Sequence, residues 1–186
     1  MAVQPERRRF TVDEYHWMGR VGILGPDDRV ELLDGEIICM VPIDEPHAST
    51  VDRINQVLVL GLQGAAIVRV QSSIRLDMGG EPEPDFALLR PRRDFYRASH
   101  PTPEDVLLVI EVADTSLDYD TRTKAPLYAR AGIPELWVVD LPHARVIAYR
   151  ASSADGYATT RAYRRGESLS PLAFPSLTIA IDDILG

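Results

Sequence analysis

Three acids and a lysine stand where the surrounding sequence is apolar or turn-forming, and their chemical types fit together. Glu111 lies inside "LLVIEVADTS" (107–116), a run otherwise suited to the interior of a sheet. Asp85 follows Pro84 at the head of "PDFALL", Glu31 sits in "VELLDGE", and Lys124 comes 13 residues after Glu111. An unpaired buried carboxylate either takes up a proton or destabilises the fold. Two carboxylates held close repel each other unless a cation lies between them. Mg²⁺ suits an all-oxygen site, with Mn²⁺ as its substitute, because it accepts one or two carboxylates, waters and a phosphate oxygen. A neighbouring lysine can orient or deprotonate a water, or balance charge that develops on a phosphate. Two acids on adjacent strands plus a lysine therefore point to metal-dependent hydrolysis of a phosphodiester.

Each residue also has a plainer reading. Asp85 after a proline can be a turn or cap residue. Glu111 can pair with an arginine such as Arg75, Lys124 can be an exposed helix lysine, and Glu31 a strand-edge charge. For Asp120, a helix N-terminal charge favoured by the dipole is the leading reading. His47 can orient a phosphate or a water, or be an N-terminal surface histidine, and Gln71 lies on a strand from which it can reach the site. Tyr128, Leu136 and Trp137 read as core, and Asp140 as a turn residue at a strand end. Thr115 and Asp118 have capping-box spacing.

Other chemistries lack their motifs. The chain has no GxxxxGK[ST] phosphate loop, no GxGxxG fingerprint and no GxSxG elbow. Its four histidines, at 16, 47, 100 and 143, show no zinc-ligand spacing, and the single Cys39 leaves neither an intrachain disulfide nor a cysteine zinc finger. With 45% hydrophobic and 26% charged residues, the chain reads as globular and soluble. No apolar run nears the roughly 20 residues of a membrane helix, and no apolar segment follows the charged start, so a cytoplasmic location and no membrane partner are expected. The net charge of −8 does not advertise a nucleic-acid binder, although a local patch or a bound cation can reverse the sign. "RRRF" (7–10) and "RPRRDFYR" (90–97) are two such stretches, and solvated loop charge is the plainer account of both.

These residues need a scaffold, and the chain's periodicities supply one over 186 residues read as a single domain. Thr11 and Glu14 form a capping box for a short helix closing on Gly19. Asp34-Gly35 divides 29–41 into a hairpin. Val51, Ile54, Val57, Leu58 and Leu62 recur at helical spacing over 47–64. Residues 66–80 and 84–90 read as strands, 107–112 and 136–140 as buried strands in the middle of the sheet, and 118–131 as the helix between them. Strands at 144–150, 157–163 and 176–181 complete a mixed α/β domain with a central sheet and helices against it.

The matching stretches "ELLDGEIICMVP", His47, "QSSIRL", "EPDFALL", "LLVIEVADTSLDYDTRTKAPLYARAGIPELWVVD" and "AFPSLTIAIDDIL" cover nearly the whole chain in order. The sequence resembles the Uma2 group (DUF820) of restriction-endonuclease-like proteins, within the PD-(D/E)xK nuclease superfamily. The resemblance implies a restriction-endonuclease-like mixed sheet flanked by helices, with an N-terminal helix and β-hairpin. It implies that Asp85 and Glu111 bind the metal with help from the Val112 carbonyl, and that Glu31 is the early acid near it. It implies nucleic acid, DNA first, as partner, and a homodimer. The wider superfamily places lysine two residues after the central acid, where this chain has Ala113. Uma2-like sequences carry it on the next helix, which makes Lys124 the match. Asp120, Lys124 and Tyr128, spaced i, i+4 and i+8, can present one face to Glu111, and Pro126 requires the helix either to begin near 123 or to kink. The expected activity is a Mg²⁺-dependent endonuclease acting on DNA. The alternative is a nuclease fold without catalysis that binds nucleic acid or protein.

Overall fold

The computed structural model describes residues 7–76 and 79–186. Asp77 and Met78, inside the 66–80 stretch read as strand, lie outside the described residues, as do residues 1–6.

Helix α1 (Val12–Val21) opens on the expected capping box: Glu14 N–H donates to Thr11 Oγ1 at 3.2 Å, and Thr11 N–H to the Glu14 carboxylate at 2.9 Å. It runs past Gly19 and ends at Gly22, whose φ of 78° is the left-handed cap that a residue without Cβ takes readily. Strands β1 (Val30–Leu33) and β2 (Glu36–Cys39) form the hairpin, with φ of 49° at Asp34 and 77° at Gly35, the double positive φ of a type I′ turn. Helix α2 (Glu45–Leu62) buries Val51, Ile54, Leu58 and Leu62, the stripe that the sequence spacing predicts.

The main sheet has six strands in the order β3 (Ile67–Val70), β4 (Phe86–Leu89), β5 (Val106–Ala113), β6 (Glu135–Asp140), β7 (Arg145–Ser153) and β8 (Gly156–Arg164). The β5–β6 pair is parallel and the other pairs are antiparallel. β5 and β6 occupy the middle, as their near-continuous apolar runs require. One face of the sheet packs with α2 and α5 (Ile181–Leu185). The other packs with the crossover between β5 and β6.

That crossover is built from α3 (Leu117–Tyr119), a π-helical turn over Asp120–Lys124, and α4 (Ala125–Arg130). The widened turn is where Pro126 is accommodated. Ala125 N–H reaches back five residues to Asp120 O, and the proline, which lacks an N–H, sits in the first turn of α4. The α-helical segment that holds the proline thus begins at Ala125, close to the expected start near 123, with Pro126 in its first turn. The N-cap of α3 is Ser116, with no side-chain cap bond, so the Thr115–Asp118 capping box does not form. Two strand expectations also shorten. Beyond β3 the described residues of the 66–80 stretch contribute isolated bridges only, Leu76 to Gly80 and, just beyond it, Glu81 to Leu32. The 176–181 stretch gives β10 (Ile179–Ala180), paired with β9 (Ser168–Leu169), before turning into α5. Among the described residues no helix is long and apolar enough to cross a membrane.

Candidate metal and phosphate site

β5 outruns its neighbour. The β4 ladder stops at the Phe86–Ile110 pair, so the next outward-facing amide, Val112 N–H, has no strand partner there. It donates instead to Asp85 Oδ2 at 2.8 Å. The N–H and C=O of one strand residue face the same side, so the Val112 carbonyl shares this edge with Asp85. Two further donors reach Asp85. His47 Nε2 lies 3.1 Å from Oδ2, and Gln71 Nε2 lies 3.3 Å from Oδ1. Asp44 caps α2 by accepting His47 N–H at 3.0 Å, which fixes His47 in the first turn. Gln71 ends β3 with φ of 43°, a conformation uncommon for a residue with a Cβ, and its own N–H bonds Asp85 O at 3.0 Å.

The Glu111 side chain points to the face of β5 that the crossover covers, the face shared by Val109 and Ala113. Lys124 Nζ lies 3.2 Å from Glu111 Oε1 and 3.2 Å from Glu31 Oε1. Tyr128 Oη donates to the same Glu111 oxygen at 2.6 Å. Glu31 Oε2 in turn accepts Glu83 N–H at 3.1 Å. Asp120 is buried at the start of the π-helical turn and accepts the Ser116 hydroxyl. The i, i+4, i+8 set thus meets around Glu111, with the lysine and the tyrosine in contact and Asp120 close enough to act on it through space.

One cavity of about 540 Å³ joins these groups. Carboxylates outnumber bases on its wall: Glu31, Asp44, Glu83, Asp85, Glu111, Asp114 and Asp120 against Arg29 and Lys124, with His47 beside them. The imbalance shows in the titrations. Burial above all, opposed by Lys124 and reinforced by Asp120, Asp85 and Glu31, pushes the Glu111 carboxyl up to about 8. Burial also raises Asp120 and Glu83. Burial works against the Lys124 charge, but Glu111, Glu31 and Asp120 outweigh it and the lysine pKa is raised. Lys124 therefore stays an ammonium, and the acids compete for it. The hydrogen bond to Asp85 raises His47, burial opposing.

A model of the Uma2 family, described as "Putative restriction endonuclease", matches residues 12–182. The chain belongs to the Uma2 family. The crystal structure of a "putative nuclease belonging to DUF820" from Anabaena variabilis is similar over 95% of this chain and 97% of that one, with a TM-score of 0.72 and 16% identity. At that identity the likeness speaks for the fold, a nuclease-like mixed sheet flanked by helices. No curated protein matches the chain.

In this Uma2 fold Asp85, Glu111, Val112, Lys124, Glu31, His47, Gln71 and Asp120 all line the one cavity. Plainer readings fail at four residues: Asp120 is buried beyond the first turn from the Ser116 cap rather than being a helix N-terminal charge, Lys124 is buried rather than an exposed helix lysine, His47 is half-buried against Asp85 rather than a surface residue, and Glu111 is not paired with Arg75, which pairs with Asp13. Tyr128, read as core, is fully buried but is also a donor to Glu111. Several cavity residues are not singled out by the sequence, among them Arg29, Asp44, Glu83 and Tyr119. Glu83 could have been noticed from the alternation in "EPEPD", whereas Tyr119, whose enclosed hydroxyl has no partner among the described residues, carries no sequence signal. The first stretch of basic residues is neutralised locally, Arg7, Arg8 and Arg9 pairing with Glu36, Glu14 and Asp34; in the second, Arg92 pairs with Asp94.

The donors present fit a hard divalent cation. Glu111 lines the cavity; its Oε1 is taken by Lys124 and Tyr128, whereas its Oε2 accepts no hydrogen bond among the described residues. Asp85 offers a second carboxylate and Val112 a carbonyl, all oxygen ligands, in a cavity with excess negative charge.

Proposed function

We propose that this protein is a divalent-metal-dependent endonuclease that hydrolyses DNA phosphodiester bonds, with Mg²⁺ as its ion and Mn²⁺ as a substitute. The observation that carries the reading is a buried carboxylate, Glu111, with one oxygen committed to Lys124 and Tyr128 and the other left for a ligand, beside Asp85 in a cavity short of positive charge. Asp85, Glu111 and the Val112 carbonyl would hold the ion. Once bound, the ion would polarise the phosphate and favour the ionised form of a bound water.

The chain's own groups do the rest. Lys124 keeps its proton, so it acts as an electrostatic and positioning group rather than a base, holding the attacking water or a phosphate oxygen. Glu31 anchors the lysine from the hairpin side, and Asp120 adds to the field that keeps it charged. His47, with its Nε2 on Asp85 and an enclosed Nδ1 that has no partner among the described residues, orients the Asp85 carboxylate; Gln71 does so from the other oxygen. The two apolar clusters on opposite faces of one sheet support a single domain over the whole chain. A two-fold dimer would bring a second such site to the opposite strand of a duplex, and a cytoplasmic location accords with a DNA substrate.

The test is incubation of the purified protein with supercoiled and with single-stranded DNA, with Mg²⁺ or Mn²⁺, beside Asp85→Asn, Glu111→Gln and Lys124→Ala. Metal-dependent cutting that all three substitutions abolish is expected. Cutting that survives Asp85→Asn and Lys124→Ala assigns the activity elsewhere. DNA binding with no cutting under any metal favours the non-catalytic binding module.

A further inference from the structure

We propose that His16, Glu81 and His100 form a second metal site, separate from the carboxylate cavity and suited to a transition metal of the Zn²⁺ class. The three residues come from segments far apart in sequence: α1, the residue that bridges to β1, and the loop leading to β5. The Glu81 backbone is fixed by a reciprocal pair with Leu32, at 2.7 and 3.4 Å, which directs a carboxylate only 4% exposed toward the two rings. His16 Nε2 lies 2.8 Å from Glu81 Oε1, and His100 Nε2 lies 3.9 Å from the same oxygen. One ligand atom from each residue falls within 4.8 Å of both others. Tetrahedral zinc, with bonds of about 2.0–2.2 Å, separates its ligand atoms by about 3.3–3.6 Å, so the observed distances bracket what the ion needs.

A plain hydrogen bond accounts for His16 and Glu81 but not for His100. At 3.9 Å its Nε2 is beyond hydrogen-bond reach of Glu81, whereas an ion held between them would bond this nitrogen together with His16 and the Glu81 carboxylate. Two imidazoles and one carboxylate are a nitrogen-rich set that selects zinc-like ions over Mg²⁺, the reverse of the all-oxygen cavity. The His16 and His100 side chains are 36% and 37% exposed, which gives an ion a way in and leaves a fourth position for water. None of the three residues lines the carboxylate cavity. Bound metal would clamp α1 and the loop before β5 onto the hairpin side of the molecule.

The test is a Zn²⁺ titration of the metal-free full-length chain, read by thermal unfolding and equilibrium dialysis, in wild type, Asp85→Asn and the double variant His16→Gln/His100→Gln. One zinc per chain is expected in wild type and Asp85→Asn. At a free concentration about 100-fold above Kd it should raise Tm by about 5–10 °C. The double variant should lose affinity by about 100-fold or more while keeping its metal-free Tm. Zinc binding that is absent from wild type, lost in Asp85→Asn, or retained in the double variant overturns the site. If the double variant does not fold, Co²⁺ bound to the wild-type chain decides. Ligand-field bands without a thiolate charge-transfer band support the His–Glu–His set, and a thiolate band assigns the ion to Cys39 and overturns it.

Discussion

Two groups of buried acids sit within a strand or two of each other and are managed in opposite ways. At the two ends of β6, Glu135 and Asp140 are fully buried, and each has an arginine of its own. Arg150 reaches Glu135 at 2.7 Å and Arg145 reaches Asp140 at 2.7 Å. Further donors complete both shells: Trp137 Nε1 and Leu172 N–H on Glu135, and His143 on Asp140. For Asp140, burial pushes the pKa up, but His143 and Arg145 more than offset it and the net shift is downward. In the cavity next door, Glu31 and Glu111 share one lysine, Asp85 has a histidine and neutral donors, and the Glu111 pKa is pushed up to about 8. A buried carboxylate with its own bidentate-capable arginine is a structural part. Buried carboxylates that compete for one ammonium leave negative charge that a further cation would balance, as the proposed function requires.

The largest effect expected from this contrast is on activity. Glu111→Gln should lower metal-dependent DNA cleavage by about 10²–10³-fold or more, whereas Glu135→Gln, assayed at a temperature where it remains folded, should leave the rate within a few-fold of wild type. Comparable losses in both would erase the distinction. Stability should rank them in reverse. Arg150→Ala strands a fully buried Glu135 and should cost about 3–5 kcal/mol in urea unfolding. Glu111→Gln in metal-free buffer should change stability by no more than about 1 kcal/mol, since it removes a charge that burial already disfavours.

Dependence on pH sharpens the contrast further. The folded-state pKa of Glu111 lies above its usual 4.5, so between about 4.5 and 8 the folded state holds a proton that the unfolded state has released. That contribution to stability is complete at low pH and lost as pH rises through about 8. The cavity's contribution to metal-free Tm should therefore fall from pH 5 to 8.5, and saturating Mg²⁺ should flatten the fall because the ion binds the carboxylate form. Comparing Glu111→Gln with wild type isolates this component, and identical pH profiles for the two would contradict it. The smallest effect belongs to Tyr128→Phe. Losing the hydroxyl that donates to Glu111 removes about 1 kcal/mol of stability and should raise the Glu111 pKa further, weakening Mg²⁺ binding a few-fold by calorimetry at pH 7.

The chain's periodicities place most of its elements, though not the full lengths expected over 66–80 and 176–181. The Thr11–Glu14 box, the Asp34-Gly35 turn and the Val51–Leu62 stripe are local signals, and local hydrogen bonding and steric preference carry them into the structure. The apolar runs around Glu111 and Trp137 likewise put β5 and β6 at the centre of the sheet, because a strand buried on both faces has nowhere else to go. The spacing of Asp120, Lys124 and Tyr128 also revealed their common face. What sequence could not separate was Glu111 from Glu135 and Asp140, which all sit in or beside the same kind of apolar strand. Their difference is decided by residues brought from elsewhere: Lys124 from the crossover and Glu31 from the hairpin on one side, Arg150 and Arg145 from β7 on the other. The same holds for His16, Glu81 and His100, whose spacing along the chain matches no ligand pattern. Secondary structure follows from interactions a few residues long, whereas the charge balance of a buried carboxylate depends on which distant side chain arrives beside it, and packing alone fixes that.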